Sequence, residues 1–264
     1  MLHKEFGLIS IIMAAYNAEK TIELAIESVL NQTYSNFELL VINDCSKDRT
    51  AKLVEAFSAK DNRVRLISNE KNCGVSFTRE HGLEEAKGAW IAVLDSDDAW
   101  APEKLEKQIE LQNRTNADLL FTGSAFMDSD GRPIDWYLHA PEEVTYRQLL
   151  KQNILSNSSA LVRKELYAKY YAVGDGMHED FAIWLSILKE GKKAYGVDEP
   201  LLIYRIAKSS KSGNKVKAAK MNWNTYRYIG LNPVEAAYYE GWYMIKNVIK
   251  YTNIKISGGG GKMR

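Results

Sequence analysis

Through the first half of the chain, short apolar runs alternate with stretches in which apolar residues recur at helical spacing. Leu8-Ile9-Ser10-Ile11-Ile12-Met13 is a nearly continuous apolar run, as expected of a strand covered on both faces, and it ends near Ala15. From Ala18, the positions Ile22, Ala25, Ile26, Val29 and Leu30 fall on one helical face that can pack back on that strand. The pattern repeats with a strand over 37–42 and a helix from about Asp48, whose inward face is Ala51, Leu53, Val54 and Phe57. A third strand is predicted over 64–67, then a polar turn over 69–74, a helix over 75–86 closed by Gly88, and a fourth strand over 90–94. This alternation predicts right-handed crossovers and a mostly parallel sheet, with a ligand crevice outside the C-terminal ends of its strands.

The rhythm weakens afterwards. Pro102 stands just inside a predicted helix running to about Asn113, with Leu105, Ile109 and Gln112 along it. A strand over 119–124 leads through Asp128-Ser129-Asp130-Gly131 into a return strand. A short strand over 159–162, a helix over 179–190 stopped by Gly191 and a last sheet element over 201–204 complete a mixed second half. From Lys215 two helical segments meet at Asn232-Pro233, and the run Gly258 to Gly261 reads as a flexible tail.

Composition narrows the function. Hydrophobic residues are 45% and charged residues 26% of 264, ordinary for a folded chain. The net charge of +1 gives no overall basic field for nucleic acid, so any charged-ligand site must be local. Cys45 and Cys73 are too few for a disulfide framework, and with no secretory signal they fit a reducing cytoplasm. No apolar run reaches the length of about 18 residues needed to span a bilayer.

The strongest chemical signal is Asp95-Ser96-Asp97-Asp98 after the fourth strand. Carboxylates crowded at a strand end repel one another, and a hard divalent cation such as Mg²⁺ or Mn²⁺ relieves them. The alternative is a solvated loop in which Asp98 caps the next helix. Ala14-Ala15-Tyr16-Asn17, at the end of the first strand, offers close backbone approach and a ring for stacking on a base, or simply a packing residue. Asp44, at the end of the second strand, suits a base or ribose contact, or an Asx turn. Strands one, two and four of one parallel sheet would bring these features to one crevice, a nucleotide site with a metal for the diphosphate.

The run 9–17, then Glu27-Ser28-Val29-Leu30-Asn31-Gln32-Thr33-Tyr34, then Val41-Ile42-Asn43-Asp44-Cys45-Ser46-Lys47-Asp48-Arg49-Thr50, resembles the N-terminal half of family 2 glycosyltransferases with the GT-A fold. The likeness continues through Asn72-Cys73-Gly74-Val75-Ser76, Leu94 to Asp98 with Trp100 and Pro102, and Glu179-Asp180 with Trp184-Leu185, ending near Tyr204-Arg205. Ordered motifs over roughly four fifths of a chain are far more specific than any one of them.

The resemblance implies an α/β GT-A fold: a Rossmann-like, mostly parallel central sheet flanked by helices, with a C-terminal helical extension. The glycosyltransferase domain would span 1–214, its nucleotide-binding half about 1–115 and its acceptor-binding half about 116–214, followed by a helical segment over 215–256 and a tail over 257–264. It also implies a nucleotide-sugar donor, most often a UDP-sugar, and inversion at the anomeric carbon. Ala15, Tyr16, Asn17 and Glu19 would line the nucleotide pocket, Asp44 would contact the base and Arg79 the phosphates. Asp95 and Asp97 match the family's Asp-x-Asp: Asp95 near the ribose with Ser96 beside it, and Asp97 with Asp98 at Mn²⁺ or Mg²⁺. Asp180 matches the general base, whereas His178 is expected to play no ligand role. Ala14 replaces a usual proline, and Glu80 replaces an asparagine common after Arg79, offsetting some positive charge there.

The implied acceptor is a saccharide or lipid-linked oligosaccharide of bacterial surface-polysaccharide assembly, of the teichuronic-acid type, reached from the cytoplasm or the inner face of the membrane. Trp223, Tyr226, Tyr228, Tyr238, Tyr239, Trp242, Tyr243 and Tyr251 beside Lys217, Lys220, Lys246 and Lys250 suit a membrane interface, a homodimer or core packing. The polar, basic stretch Lys208-Ser209-Ser210-Lys211-Ser212-Gly213 suits a lid over the diphosphate or an exposed linker. A sugar-nucleotide pyrophosphorylase, disfavoured because no Gly-rich loop with Arg and Lys follows the first strand, and a non-catalytic binding subunit are the alternatives.

Overall fold

The computed structural model describes residues 6–171, 174, 176–206 and 215–257, the side chains of 215 and 247–257 excepted. The expected lid segment 208–213 lies outside the described residues, as do the side chains of Lys250 and Tyr251. Strands β1 (Ile9–Ala15), β2 (Phe37–Asn43), β3 (Val64–Ser68) and β4 (Trp90–Val93) alternate with helices α1 (Ile22–Leu30), α2 (Thr50–Ser58) and α3 (Val75–Glu85). Next come β5 (Ala99–Trp100), α4 (Lys104–Thr115), β6 (Leu119–Met127), β7 (Pro133–Leu138), β8 (Glu143–Val144) and α5 (Tyr146–Lys151). A 3-10 turn at Asn157–Ser159 leads to β9 (Leu161–Arg163), α6 (Lys164–Tyr170), α7 (Glu179–Lys189), β10 (Ala194–Arg205), α8 (Lys215–Tyr228) and α9 (Pro233–Ser257).

One sheet runs through both halves in the order β3-β2-β1-β4-β9-β6-β10-β5, with β7 on β6 and β8 on β10. β1 is parallel to β2 and β4, and β2 to β3. β9 is antiparallel to both β4 and β6, which restores β6 and its parallel neighbour β10 to the direction of β4. The C-terminal ends of β1, β2, β4, β6 and β10 therefore share one rim, and the loops that leave it carry the site.

Alternation along the strands divides the core. Ile9, Ile11, Met13, Leu39 and Val41 pack with Ile22, Ile26 and Val29 of α1 and Leu105 and Ile109 of α4. Ile12, Leu40 and Ile42 pack on the other face with Leu83 of α3 and Phe181, Ile183 and Trp184 of α7. Burial of the apolar faces on both sides, at about 25 cal/mol per Å², fixes α3 and α7 on the same side of the sheet.

Several local expectations are corrected. The element predicted over 201–204 is the C-terminal part of twelve-residue β10, whose register on β6 shifts between Val197 and Leu202, around Pro200. That irregularity breaks the hydrophobic pattern and hides the strand's first half. Pro102 lies two residues before the first residue of α4, and its carbonyl accepts a hydrogen bond from Thr33 N–H. Gly88 does not close α3, which ends in extended backbone at Ala86. A side chain at Gly88 would stand 2.6 Å from Leu8 O and Ser10 N, so close passage of the backbone over β1 is what requires glycine there.

Candidate active site

The loops after β1 and β2 are stitched together by side chains bonding to backbone. Asn17, in the left-handed region at φ 50°, accepts from Lys47 N–H at 2.8 Å, and its own N–H donates to Ser46 Oγ at 3.0 Å. Asparagine tolerates that conformation better than most residues. Ala18 N–H donates to Thr50 Oγ1 at 2.8 Å, Glu19 N–H to Asp48 Oδ2 at 3.0 Å, and Glu19 accepts from Arg49 Nε at 3.2 Å. Ala15 is buried and accepts from Asp44 N–H, leaving Tyr16 at the rim with half its surface open. A cavity of about 470 Å³ opens beside this loop, lined by Asn17, Glu19, Lys20, Asp97, Ser129 and Arg205 among others. The structure thus brings Asn17, Glu19 and Asp97 together around one cavity.

Asp44 is placed differently from a free base contact. It is buried, with one carboxylate oxygen accepting from Asn69 Nδ2 and Cys73 N–H and the other from Gly74 N–H, all within 2.9 Å. A carboxylate that accepts this many protein hydrogen bonds is a loop anchor: it fixes the turn 69–74 and so the start of α3.

Arg79 also departs from the expected phosphate contact. Its guanidinium is buried, with one terminal nitrogen bonded to Asp95 and the other to Glu179. Burial opposes its charge, yet the two carboxylates hold it protonated well above the usual arginine range. Arg79 sits on α3 and Glu179 on α7, the helices that share one face of the sheet, and this clamp draws α7 to the end of β4. The planar, two-pronged guanidinium suits such bridging better than a lysine would.

The acidic loop has one inward and one outward member. Asp98 is 2% exposed, and its Oδ1 accepts from Arg205 N–H at 2.9 Å. Burial and the charges of Asp95 and Asp97 push its carboxyl well above the ordinary range, against the lowering influence of the Arg205 and Ser158 contacts. Asp97 faces the cavity, and its carboxyl is raised by burial and by Asp95. Ser96 is half-buried between them. Arg205 Nε donates to Asp97 O at 2.8 Å, and another of its nitrogens reaches Asp128 O and Ser129 O at 3.3 Å, fastening the loop to the turn before β7. Ser158 accepts from Asp95 N–H through Oγ and from Trp100 Nε1 through its carbonyl, at 3.2 and 2.7 Å.

Among the described residues no three His, Cys, Asp or Glu side chains converge as a metal cage. The donor set nevertheless fits Mg²⁺ or Mn²⁺, which characteristically take one or two carboxylates and complete their shell with substrate phosphates and water. Asp97 is the carboxylate so presented. Asp98, expected beside it as a ligand, turns into the core and accepts from Arg205 N–H through Oδ1.

Asp180 follows Glu179 in the first turn of α7, whose N-terminal cap is His178. Burial and then the adjacent Glu179 charge raise its carboxyl to about 7, against a lowering influence from Arg79. His178 N–H donates to Thr225 Oγ1 at 3.1 Å, tying this turn to α8. Ser158, the contacts of Arg205 and the Arg79–Glu179 pairing escaped the sequence reading. Arg205 had a signal, a lone cation ending the last apolar strand; Ser158, in a polar turn without periodicity, had none.

The pattern described as Glycosyl transferase family 2 matches residues 10–170. A Bacillus subtilis protein named for teichuronic acid biosynthesis, TuaG, is 39% identical over 222 residues, 84% of this chain and 88% of its own. An Escherichia coli protein, WfgD, named UDP-Glc:alpha-D-GlcNAc-diphosphoundecaprenol beta-1,3-glucosyltransferase, is 36% identical over 245 residues, 92% of this chain and 95% of its own. Among solved structures, S. aureus TarS residues 1–349 in complex with UDP superposes with a TM-score of 0.68 at 20% identity, over 91% of this chain and 72% of that one. The Pyrobaculum calidifontis mannosyltransferase PcManGT, in complex with GDP-Man and Mn²⁺, gives 0.69 at 14% identity, over 98% and 77%. The fold is GT-A, the pyrophosphorylase alternative falls away, and, with the family pattern over residues 10–170 and relatives 39% and 36% identical over most of both chains, the chain belongs to glycosyl transferase family 2.

Proposed function

We propose that the protein is an inverting, metal-dependent transferase that moves a sugar from a UDP-sugar to a lipid-linked saccharide diphosphate in cell-surface polysaccharide assembly. The observation that carries this reading is the Arg79 clamp, which joins Asp95 of the acidic loop to Glu179, the chain neighbour of Asp180, whose carboxyl is raised to about 7 by burial and by the Glu179 charge. In the reaction an acceptor hydroxyl oxygen bonds to the anomeric carbon as the carbon–oxygen bond to the diphosphate breaks. The nucleotide diphosphate leaves with the bonding pair, and the hydroxyl proton passes to Asp180. A base whose pKa lies near neutrality is well matched to that task.

The nucleotide belongs to the 1–115 half: the Tyr16 ring is open for stacking, the Asn17–Glu19 loop forms the wall, and Asp44 holds the floor through the 69–74 turn. Asp97 would hold Mn²⁺ or Mg²⁺, which when bound supplies Lewis-acid stabilisation of the departing diphosphate. The donor class is supported by the names of WfgD and the TarS complex, and the acceptor class by that of WfgD. Such an acceptor calls for peripheral attachment at the cytoplasmic face of the membrane; among the described residues no helix is long and apolar enough to cross one.

The test is a panel of nucleotide sugars with Mn²⁺ and a prenyl-diphosphate N-acetylhexosamine acceptor. The expected result is an inverted glycosidic product and one equivalent of UDP from one UDP-sugar, abolished by chelation. Retained configuration, or no transfer from any nucleotide sugar, would overturn the reading.

A further inference from the structure

Beside the first turn of α7 lies a second cavity, of about 360 Å³, lined by Gly174, Gly176, Met177, Asn224, Arg227 and Tyr228. Its position is set by the same contacts that hold Asp180. Asn224 Nδ2 donates to Gly176 O at 2.7 Å, and Thr225 Oγ1 accepts from His178 N–H at 3.1 Å. Consecutive residues of α8 thus bind the segment that runs directly into Glu179 and Asp180. The cavity is therefore on the α7–α8 side, apart from the cavity lined by Asn17, Glu19 and Asp97, and shares no lining residue with it.

The lining has a particular chemistry. Tyr228 leaves 55% of its surface open, and Met177 adds an apolar neighbour, together a platform for the C–H face of a sugar ring. Arg227 brings a permanent cation whose fork matches phosphate oxygens. A terminal nitrogen of Arg227 is bonded to Leu231 O, so the group is held at the turn between α8 and α9. The start of α9 then presents Val234, Tyr238, Trp242 and Ile245 outward at helical spacing, 80%, 55%, 38% and 54% exposed. Arg227 and Tyr228 stand side by side at the end of α8 and the apolar stripe follows at the start of α9, so cation, ring platform and apolar surface, the chemical counterparts of the diphosphate, sugar and lipid of a lipid-linked glycosyl diphosphate, lie within one stretch of chain.

We infer that this cavity is the acceptor subsite, with Tyr228 holding the acceptor sugar and Arg227 its diphosphate. The inference rests on the transfer reading above and adds the residues that select the acceptor. Each contact acts on acceptor binding and leaves the nucleotide rim untouched.

The experiment titrates the full chain with a short-chain alkyl diphosphate bearing one N-acetylhexosamine, with the same alkyl diphosphate lacking the sugar, and with inorganic diphosphate. Wild type is compared with Tyr228→Ala, Tyr228→Phe, Arg227→Gln and Arg227→Lys, melting curves confirming folding. The expected result is about tenfold weaker binding of the glycosyl compound to Tyr228→Ala and Arg227→Gln, a factor worth about 1.4 kcal/mol. Tyr228→Phe keeps the ring and the affinity, Arg227→Lys recovers part of it, and the sugar-free compound is insensitive to Tyr228→Ala. Equal affinity in all variants, no binding by wild type, or equally tight binding of inorganic diphosphate would overturn the assignment. The UDP-induced thermal shift is read on the same samples. Unchanged acceptor binding with a normal UDP shift removes the subsite alone, whereas a wild type without any UDP shift counts against the transfer reading itself.

Discussion

The two sides of the site are held in different ways. On the β1–β2 side, each loop is fixed by a neighbouring strand–helix unit: residues 17–19 by 46–50, and Asp44 by 69–74. On the α7 side, Glu179 is fixed by Arg79, a hundred residues earlier, and His178, just before it, by Thr225, forty-seven later. The first arrangement follows once adjacent parallel strands pair. The second exists only when α3, α7 and α8 are packed on the finished sheet, so perturbations should separate the two sides.

Asp180→Asn should produce the largest effect. An amide cannot accept the proton, so kcat should fall by about 10²–10⁴-fold while UDP binding at the other side persists. In wild type the carboxyl raised to about 7 should appear as an acid limb in the kcat–pH profile, activity rising as Asp180 deprotonates. A limb unchanged in the variant would sink the assignment of the base.

Arg79→Met attacks the joint between the sides. It leaves Asp95 and Glu179 without their shared cation, and denaturant titration should show a loss of about 3 kcal/mol. Because the Arg79 charge lowers the pKa of Asp180, the acid limb should move above 7 in whatever activity remains. A purely structural role would lower stability without moving the limb.

Gly88→Ala strikes the nucleotide half away from either cavity. A methyl group 2.6 Å from Leu8 O and Ser10 N forces backbone movement at β1, with an expected cost of about 1–3 kcal/mol. Activity per folded molecule should be retained.

The smallest effect should be a gain. Glu240, in α9, is buried, its Oε2 has no hydrogen-bond partner among the described residues, and burial raises its carboxyl from 4.5 to about 7. The unfolded chain releases this proton near 4.5, so the stabilisation is complete below that value and is lost as pH rises through 7. Glu240→Gln should therefore raise stability at pH 8 and change it by almost nothing at pH 4. A gain equal at both pH values would show that charge burial is not its source.

The strands and helices up to β4 were legible because continuous apolar runs and helical spacing record burial on both faces of a parallel sheet. β10 was half hidden by its register shift, and α5 and α6 are too short to show a period. Among the site residues, the placement of Asp97 at the cavity follows directly from its position after β4. Asp98, one residue on, faces the opposite way and holds Arg205. Arg79 and Asp44 stood out in the sequence, but their partners did not, since hydrogen bonds across 25 to 100 residues leave no local trace.

By itself the sequence determined the parallel sheet, the rim to which its loops come, and the acidic residues placed there, because strand period and strand-end position are local properties. Tertiary packing alone decided which of those groups remain open to a ligand and which are consumed in holding the walls. That choice depends on which charged side chains from distant helices are buried against one another, and burial is a property of the assembled core.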